Sequence, residues 1–459
     1  MSNGVRFLNE NDDVKKIRDE GYVVIGVHNG IFHCDDVSAC CILDILLEKV
    51  YNKIKPQETK KIAIVRTRNP KVLKDCSVCV DIGGGKLDHH YEGCDKKREN
   101  GIKYASIGLV WKIYGKKLIE LINPELNDEE KEQLFKEIDD EIIKFIDADD
   151  NGQPIEKPGT ANNPNLDDNE KYYLSFDFDF ITLFNPSWHE EKPDFNKSFE
   201  SAFKTTRRTF SNCLKSIVFE EEIKEEDIFK SEEEQKQFIE EKASKYKENL
   251  LENFTKELNV MRIYENNEDI KNRIFRSDTE NEEFMNYVNY NINEFLEQHN
   301  FRFNSDEDKK DILEQKIRQI VDEFYATRII ENLTQNPENI KDACLIIPAQ
   351  TMPWKKGVCE YNKNHKDKPI RFVMYPYPNG GWALECVPES TTVKDRYTKL
   401  TPLLSNLSAS LKKKIKFVHK NKFFARTNED LSDDEAKEAL YNLSKKSIKT
   451  QNLKKYISR

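Results

Sequence analysis

The sequence contains no apolar run of the roughly 20 residues that a membrane-spanning helix needs. Residues 1–20 have neither the apolar core of a secretory signal nor the Arg-rich pattern of a mitochondrial leader. Internal repeats are absent, and the charged helical stretches keep no heptad pattern over several turns. We therefore expect a cytoplasmic or nuclear protein, or one found in both places, that does not bind a membrane and is not a coiled coil.

The cysteines give no complete zinc site, although the chain contains ten of them. Cys76 and Cys79 have the CxxC spacing, but no second pair and no nearby histidine completes a tetrahedral set of ligands. The pair also lies in a predicted strand, which directs alternate side chains to opposite faces. We expect reduced structural thiols.

The length and charge of the chain favour several domains and place the acidity in one of them. The 459 residues exceed the size of one ordinary core, so about two or three domains are expected. The net charge is −10, and residues 211–320 alone contain 28 acidic and 17 basic residues. The rest is nearly balanced, so the total charge does not argue against nucleic-acid binding elsewhere in the chain.

The first part of the chain alternates strand and helix patterns. Strands are predicted at Tyr22–Val27, Ile62–Val65 and Ser77–Asp81, with helices at Asp35–Lys49 and from Asn69-Pro70 to Lys74. This order predicts right-handed crossovers and a parallel sheet flanked by helices. In such sheets the ligand site lies outside the carboxyl ends of the strands.

The remaining patterns complete an α/β protein of three parts. Further helices are predicted at Ser106–Tyr114, Asp128–Ala148 and Glu429–Leu443, and further strands at Ala343–Ile347, Ile370–Tyr375 and Gly381–Val387. We predict a parallel-sheet catalytic domain over 1–210, an acidic helical insertion over 211–320, and a smaller C-terminal α/β domain with a basic tail over 321–459. We favour a solvated elaboration for the insertion, with a docking arm for a protein partner as the alternative.

Four of the eight histidines precede residue 91 and lie near carboxylates at the ends of apolar runs. His28 follows Val23–Val27, Asp81 follows Val78–Val80, and the triplet Asp88-His89-His90 comes next. Imidazoles and carboxylates that converge from strand ends are typical of a site for two divalent cations. Such sites usually hydrolyse phosphate esters or anhydrides, so a metal-dependent phosphoesterase is indicated.

Several neighbouring residues extend this predicted site. His33 and Asp35 follow His28 at the start of a helix, where the positive end of the helix dipole favours anions. Asp36 is expected to point away from the site and to cap that helix. Asp147 offers one more inward carboxylate, ahead of a turn sequence.

Nine sequence blocks occur in a fixed order: His28–Asp36, Val65–Arg68, Val80–Gly84, Asp88–His90, Lys103–Tyr114, Asp147–Gly152, Phe184–Trp188, Pro353–Lys355 and Phe417–His419. Together they resemble the DHH phosphoesterase superfamily, and more narrowly its branch of melanocyte-proliferating-gene exonucleases. The resemblance covers roughly residues 20–210 and 320–440 and leaves out the acidic helical segment.

The resemblance implies a 3′→5′ exonuclease that acts on single-stranded RNA with water activated by two Mn²⁺ or Mg²⁺ ions. The metal ligands that it implies are His28, His33, Asp35, Asp81, Asp88, His89, Asp147 and Asp150. Asp81 is expected to bridge the ions and to be essential for catalysis, whereas His90 is expected to face the scissile phosphate as a hydrogen-bond or proton donor. The residues expected to bind substrate are Arg66, Lys103, Ser106, His419, Lys422 and Arg426.

The sequence departs from the family pattern at two places that affect substrate binding. Ala105 replaces a serine and leaves Ser106 as the phosphate contact, and the glycine-rich stretch expected after His419 reads Lys422–Arg426 here. Of Arg66 and Arg68, one is expected to bind phosphate and the other to pair with a carboxylate. The departures leave open hydrolysis of a small phosphate compound, such as a short oligonucleotide, a cyclic dinucleotide or pyrophosphate, or an inactive scaffold.

The tryptophans of the C-terminal part are expected to serve the fold. Trp354 and Trp382 are each predicted to lie in the core rather than to form platforms on which bases stack. The sequence does not predict the oligomeric state.

Overall fold

The computed structural model describes residues 4–55, 60–90, 96–153, 179–190, 192–219, 228–261, 278–299, 304–336, 339–347, 352–377, 380–389, 401–404, 406–418 and 422–457. Within these ranges, no helix has both the length and the apolar character needed to cross a membrane.

The first sheet is parallel, as the alternation of strands and helices predicted. Its strands are β1 (Val5–Leu8), β2 (Val23–Val27), β3 (Ile62–Arg66) and β4 (Val78–Cys79), in the order β1-β3-β2-β4. The connecting helices are α1 (Val14–Asp19), α2 (Cys34–Ile54) and α3 (Pro70–Asp75). Both faces of β2 are buried. Val24 packs against α1 on one face, and Ile25 packs on the other face in the core that contains α2.

Two further helical elements pack beside the first sheet, and the second of them carries more carboxylates. Helix α4 (Ser106–Ile122) packs along α2. The predicted helix at Asp128–Ala148 is a continuous run of α5 (Asp128–Ile138), a π-helical turn (Asp139–Ile143) and α6 (Lys144–Asp150). Helix α6 carries both Asp147 and Asp150.

The helical segment is part of the main core. A 3₁₀ turn (Asp179–Phe184) precedes α7 (Phe195–Phe219), α8 (Glu232–Met261), α9 (Asp278–Gln298) and α10 (Asp306–Thr334). The boundaries that we placed after residues 210 and 320 fall inside α7 and α10. Phe284, Val288 and Ile317 are buried in the same cluster as β2 and α2, so this segment is more than a solvated elaboration.

The second sheet has the order β5-β6-β7-β8-β10-β9, and within it only β6 and β7 run parallel. The strands are β5 (Ile340–Lys341), β6 (Cys344–Ile346), β7 (Phe372–Pro376), β8 (Trp382–Cys386), β9 (Ile415–Val418) and β10 (Phe424–Thr427). The nearby helices are α11 (Lys355–Asn364), α12 (Ala409–Lys412) and α13 (Asp433–Ile457). The chain is therefore an α/β protein with two sheets.

The two faces of the second sheet have different neighbours. Met374, Leu384 and Ala425 pack with residues of α13, whereas Val373 and Tyr375 belong to the main core. Trp354 and Trp382 are buried, as predicted.

Candidate metal centre

Histidine and aspartate side chains meet at the carboxyl ends of β2 and β4. Among the described residues, three groups place their ligand atoms within 4.8 Å of one another. The groups are His28, Asp36 and Asp81; Asp81, His89 and His90; and Asp35, His89 and Asp150. Because parallel strands end at the same edge of the sheet, residues that are far apart in sequence converge there.

Asp81 belongs to two of the groups and directs one carboxylate oxygen to each. Its Oδ2 lies 3.3 Å from His28 Nε2, while its Oδ1 lies 3.1 Å from His89 Nε2 and 3.1 Å from His90 Nδ1. The backbone φ of 56° places Asp81 in the left-handed region, which costs free energy for most residues but is more readily adopted by aspartate. The Ser106 hydroxyl donates to Oδ1 at 3.1 Å and helps to hold the carboxylate.

Asp36 is a site residue that we did not predict. Its Oδ1 accepts a hydrogen bond from the His33 backbone N–H at 2.9 Å and caps α2, as expected. The expectation that it points away is wrong, because its Oδ2 lies 3.0 Å from His28 Nε2. A carboxylate has two oxygens, and the cap uses only one of them. The only sequence signal was the position of Asp36 in the first turn of the helix.

The His28 ring directs its Nε2 to two carboxylates. Its Nδ1 lies 3.1 Å from the Asn29 carbonyl oxygen, so a neutral ring donates there and leaves the Nε2 lone pair for Asp36 and Asp81 or for a cation. Burial by itself lowers the pKa of His28, but the Asp36 and Asp81 carboxylates raise it to about 10. The site therefore attracts positive charge strongly.

The third group shows the same concentration of negative charge. His89 Nε2 lies 3.1 Å from Asp150 Oδ2, and burial raises the pKa of Asp150 well above its usual range, as do the neighbouring Asp35 and Asp81. Burial and Asp81 also raise the pKa of Asp35 to about 7, although Asp35 accepts hydrogen bonds from the Ser106 and Ile107 backbone N–H groups. Cations would relieve this repulsion between carboxylates.

The donor atoms fit divalent cations. Asp36 Oδ2 and His89 Nε2 are buried and form no hydrogen bond. Asp36 Oδ2 nevertheless lies 3.0 Å from His28 Nε2, and His89 Nε2 lies 3.1 Å from Asp150 Oδ2. An octahedral ion such as Mg²⁺ holds its ligands at about 2.0–2.1 Å, which puts adjacent ligands about 3 Å apart. Carboxylate and imidazole ligands suit Mg²⁺ and Mn²⁺. These clusters could therefore bind metal ions.

Three residues that we predicted as ligands lie outside the three groups and have other contacts. Asp147 accepts hydrogen bonds from the Ala105 and Gly108 backbone N–H groups and lies 2.6 Å from Arg98 Nη1. These contacts lower the pKa of Asp147, but burial has the larger effect and raises it to about 8. Asp88 accepts from the His90 backbone N–H at 2.8 Å and the Gly84 N–H at 2.7 Å, so it orients His90. His33 is exposed, with its ring 6.0 Å from that of His28.

The residues predicted to bind substrate divide into buried and exposed ones. Arg66 is 3% exposed and donates to the carbonyl oxygens of Gly30 and Phe195, and its burial lowers its pKa to about 10. Ser106 is fully buried, and its hydroxyl is directed to Asp81. Lys103 and Lys422 are exposed, and Arg426 is partly buried. His419 lies outside the described residues.

Arg68 and Arg98 have roles that the sequence did not distinguish. Arg68 is exposed just after β3 and forms no ion pair with the described residues. Arg66, two positions earlier, donates hydrogen bonds to carbonyl oxygens rather than to a carboxylate. Arg98 pairs with Asp139 as well as with Asp147. Arg98 lies in no motif, so no sequence signal could have found it.

Curated relatives match less than half of this chain. The chain is 27% identical over 205 residues to the MYG1 exonuclease of Homo sapiens, which covers 41% of this chain and 50% of the relative. It is 28% identical to a MYG1 protein of Caenorhabditis elegans and 29% identical to one of Saccharomyces cerevisiae; each match covers 42% of this chain and 56% of the relative. The chain thus spans about half the length of the curated relatives it matches. No solved structure matches it significantly.

The family match covers more of the chain than we expected. We expected the resemblance to leave out residues 211–320, and this is wrong, because the two matched regions, 24–262 and 218–432, include that segment. Hydrophobic residues of this segment pack in the common core, which gives a physical reason for its place in the family. The chain belongs to the MYG1 exonuclease family, described as uncharacterised protein family UPF0160.

Proposed function

We propose that the chain is a metal-dependent phosphodiesterase of the DHH type that removes nucleotides from the 3′ end of single-stranded RNA. The main support is the position of Asp81, which directs one oxygen to the group of His28 and the other to the group of His89. Such a carboxylate is suited to bridge two cations. The exonuclease named among the relatives supports a nucleic-acid substrate.

The proposed ligands divide between two cation positions. His28, Asp36 and Asp81 would hold one ion, and Asp35, Asp81, His89 and Asp150 the other. When bound, the ions supply positive charge for the phosphoryl oxygens and make water a better nucleophile. His33 and Asp147 stay predicted ligands, and Asp88 is proposed to orient His90.

His90 is the proposed hydrogen-bond or proton donor to the leaving oxygen. Its Nδ1 is held by Asp81 and Asp88 at 3.1 and 3.2 Å, while 53% of its side chain is exposed. The opposite edge of the ring is therefore free to reach a substrate. Burial lowers the pKa of His90, but the contacts with Asp81 and Asp88 raise it to about 10.

A cleft lies against the loop between β2 and α2, which begins at His28. It has a volume of about 410 Å³ and is lined by residues that follow β2 and β3, among them His33 and Arg68, and by Tyr377, which follows β7. Arg68 is exposed there, so we propose that it binds a phosphate of the substrate.

The test is hydrolysis of 5′-labelled single-stranded RNA with Mn²⁺ or Mg²⁺. We expect the wild-type chain to give a ladder of shortened products. We expect Asp81→Asn to lower the rate by more than roughly 100-fold, because the change removes the bridging charge. Asparagine has nearly the same shape and also tolerates a positive φ. Asp140→Asn is the matched control, since Asp140 is a surface partner of Lys144.

The outcomes separate the three readings of the site. A ladder that disappears in Asp81→Asn and persists in Asp140→Asn supports the proposal. Cleavage restricted to dinucleotides or pyrophosphate would assign the site to small phosphate compounds. No turnover of any of these substrates would contradict an enzymatic function and leave a scaffold.

A further inference from the structure

Three aromatic rings form a row on the second sheet. The ring of Tyr377 lies 6.1 Å from that of Phe424, which lies 6.4 Å from that of Phe417. Tyr377 follows β7, Phe424 begins β10, and Phe417 lies on the edge strand β9. We call these three residues the aromatic row. Phe417 is 44% exposed, whereas Phe424 and Tyr377 are partly buried.

The strand register explains why the rings share a face. Arg426 pairs with Phe417 in the antiparallel ladder, and directly paired residues lie on the same face. Phe424 is two residues from Arg426 and therefore also lies on that face. Helix α13 covers the other face, where Leu384 and Ala425 are buried. The aromatic row thus lies on the face opposite to α13, where Tyr377 and Phe424 pack against the edge of the main core and Phe417 is the exposed end.

The charge beside the aromatic row suits an anionic ligand. The Arg426 guanidinium lies 5.0 Å from the centre of the Tyr377 ring, with Glu429 3.9 Å away, and Lys422 is exposed before β10. Glu385, which pairs with Phe424, has its charge balanced by Lys355 at 3.4 Å.

The aromatic row is continuous with the cleft beside the loop that follows His28. Tyr377 is both a member of the row and a lining residue of the cleft that contains His33 and Arg68. A chain-like ligand that lies in the cleft therefore meets Tyr377 first, then Phe424 and Phe417. A compact ligand would fill only the cleft.

We propose that the aromatic row binds the bases of single-stranded RNA upstream of the 3′ nucleotide, in a way that does not depend on sequence. The proposal rests on the proposed function, because it places the 3′ end in the cleft. Aromatic rings beside arginine and lysine are the usual means by which proteins hold single strands. A base stacks on the exposed Phe417 ring, neighbouring bases contact the accessible edges of Phe424 and Tyr377, and the cations contact the phosphates.

The experiment is a binding titration of a fluorescent 12-nucleotide single-stranded RNA, measured by anisotropy with the full chain in the presence of a chelator. We expect Phe417→Ala to weaken binding roughly tenfold, and Phe417→Trp to restore it, because each stacked base contributes substantially to affinity. Phe417 is exposed, so its truncation should leave the fold intact; a melting curve checks this.

Phe219→Ala is the matched control and should bind like wild type. Phe219 is 45% exposed, nearly the same as Phe417, and lies at the far end of α7 from Phe195, which lines the cleft. A helix of that length spans about 36 Å, which separates the control from the proposed RNA path.

Equal affinity of Phe417→Ala and Phe219→Ala would overturn the proposal, as would a wild-type chain that does not bind the RNA. Loss of self-association in Phe417→Ala with unchanged RNA binding would instead assign the row to an interface between copies. The proposed function fails separately: RNA that depends on Phe417 for binding but is never hydrolysed would contradict the exonuclease and leave the aromatic row in place.

Discussion

At the scale of single residues, two aspartates determine what the centre can hold. Asp81 directs its oxygens to two groups of ligands from a left-handed backbone conformation. Backbone strain of this kind is concentrated at functional sites, where the surrounding structure holds the residue in place. Asp36 divides its oxygens between a helix cap and His28. Each residue thus joins the local backbone to the centre.

The two roles of Asp36 can be separated by substitution. Asp36→Asn keeps an oxygen that can cap α2 but removes the negative charge, so we expect Mn²⁺ affinity to fall at least roughly tenfold. Asp36→Ala also removes the cap. In the metal-free protein it should lower the free energy of unfolding by about 1 kcal/mol more than Asp36→Asn does. Calorimetry measures the affinity, and thermal melts with a chelator measure the stability.

Asp13→Asn provides the matched control for Asp36, because the Asp13 carboxylate caps α1 at 3.0 Å from the Lys16 nitrogen and lies outside the ligand groups. It should leave the Mn²⁺ affinity unchanged. Unchanged affinity in Asp36→Asn as well would remove Asp36 from the centre.

At the scale of elements, the start of α4 holds two of the buried carboxylates. Asp35 accepts hydrogen bonds from the first backbone N–H groups of α4, and Asp147 accepts from Ala105 and Gly108. A helix N-terminus offers unpaired N–H groups and positive partial charge, which favours both carboxylates. Helix α4 therefore fixes the positions of α2 and α6 around the centre.

Gly108 cannot be replaced by a larger residue without disturbing this arrangement. A Cβ on Gly108 would lie 1.9 Å from Asp147 Oδ2, so Gly108→Ala must displace the Asp147 carboxylate. Alanine normally stabilises a helix by about 1 kcal/mol relative to glycine. Here we expect the opposite effect: Gly108→Ala should lower the free energy of unfolding by about 1–3 kcal/mol because of overpacking, as measured by urea unfolding.

Gly85→Ala is the control for Gly108→Ala, because a Cβ at Gly85 meets nothing within 4 Å. This change should be close to neutral. A stabilised Gly108→Ala would show that Asp147 does not occupy the space beside α4.

The elements that the sequence predicted well are those with strong periodicity. Strands β2 and β3 are short apolar runs between turn residues, and α2 has a long apolar face, so their order already indicated the parallel sheet. Strand β1 alternates too briefly to be recognised, and β9 carries Lys416 between two apolar residues. Such strands form because the adjacent strand supplies the hydrogen bonds, which a local pattern does not record.

At the scale of the whole molecule, ion pairs between residues far apart in sequence hold together segments that the local patterns had assigned to separate domains. A buried ion cluster of Asp44, Glu48, Lys60 and Arg207 joins α2 to α7. His189, which had no supporting neighbour in sequence, lies 3.2 Å from Asp322 on α10. These contacts tie the helical segment to the first sheet, and so the chain forms a common core across the boundaries that composition suggested.

In the candidate site too, local sequence patterns predicted only part of the arrangement. His28, Asp81 and His89 stand out in sequence because they end strands or belong to a rare triplet, and the structure brings them together. The aromatic row could not be predicted, because the strand register alone places Phe417 beside Phe424. Motifs thus predicted which residues meet at the centre better than they predicted the surface that would receive a substrate.

The central claim is that Asp81 lies between two cations. Its most direct test is anomalous diffraction from a crystal of the full chain soaked with Mn²⁺. We expect two peaks about 3.5–4 Å apart, one on each side of the Asp81 carboxylate. A single peak, or manganese bound away from Asp81, would contradict the bridging role of Asp81.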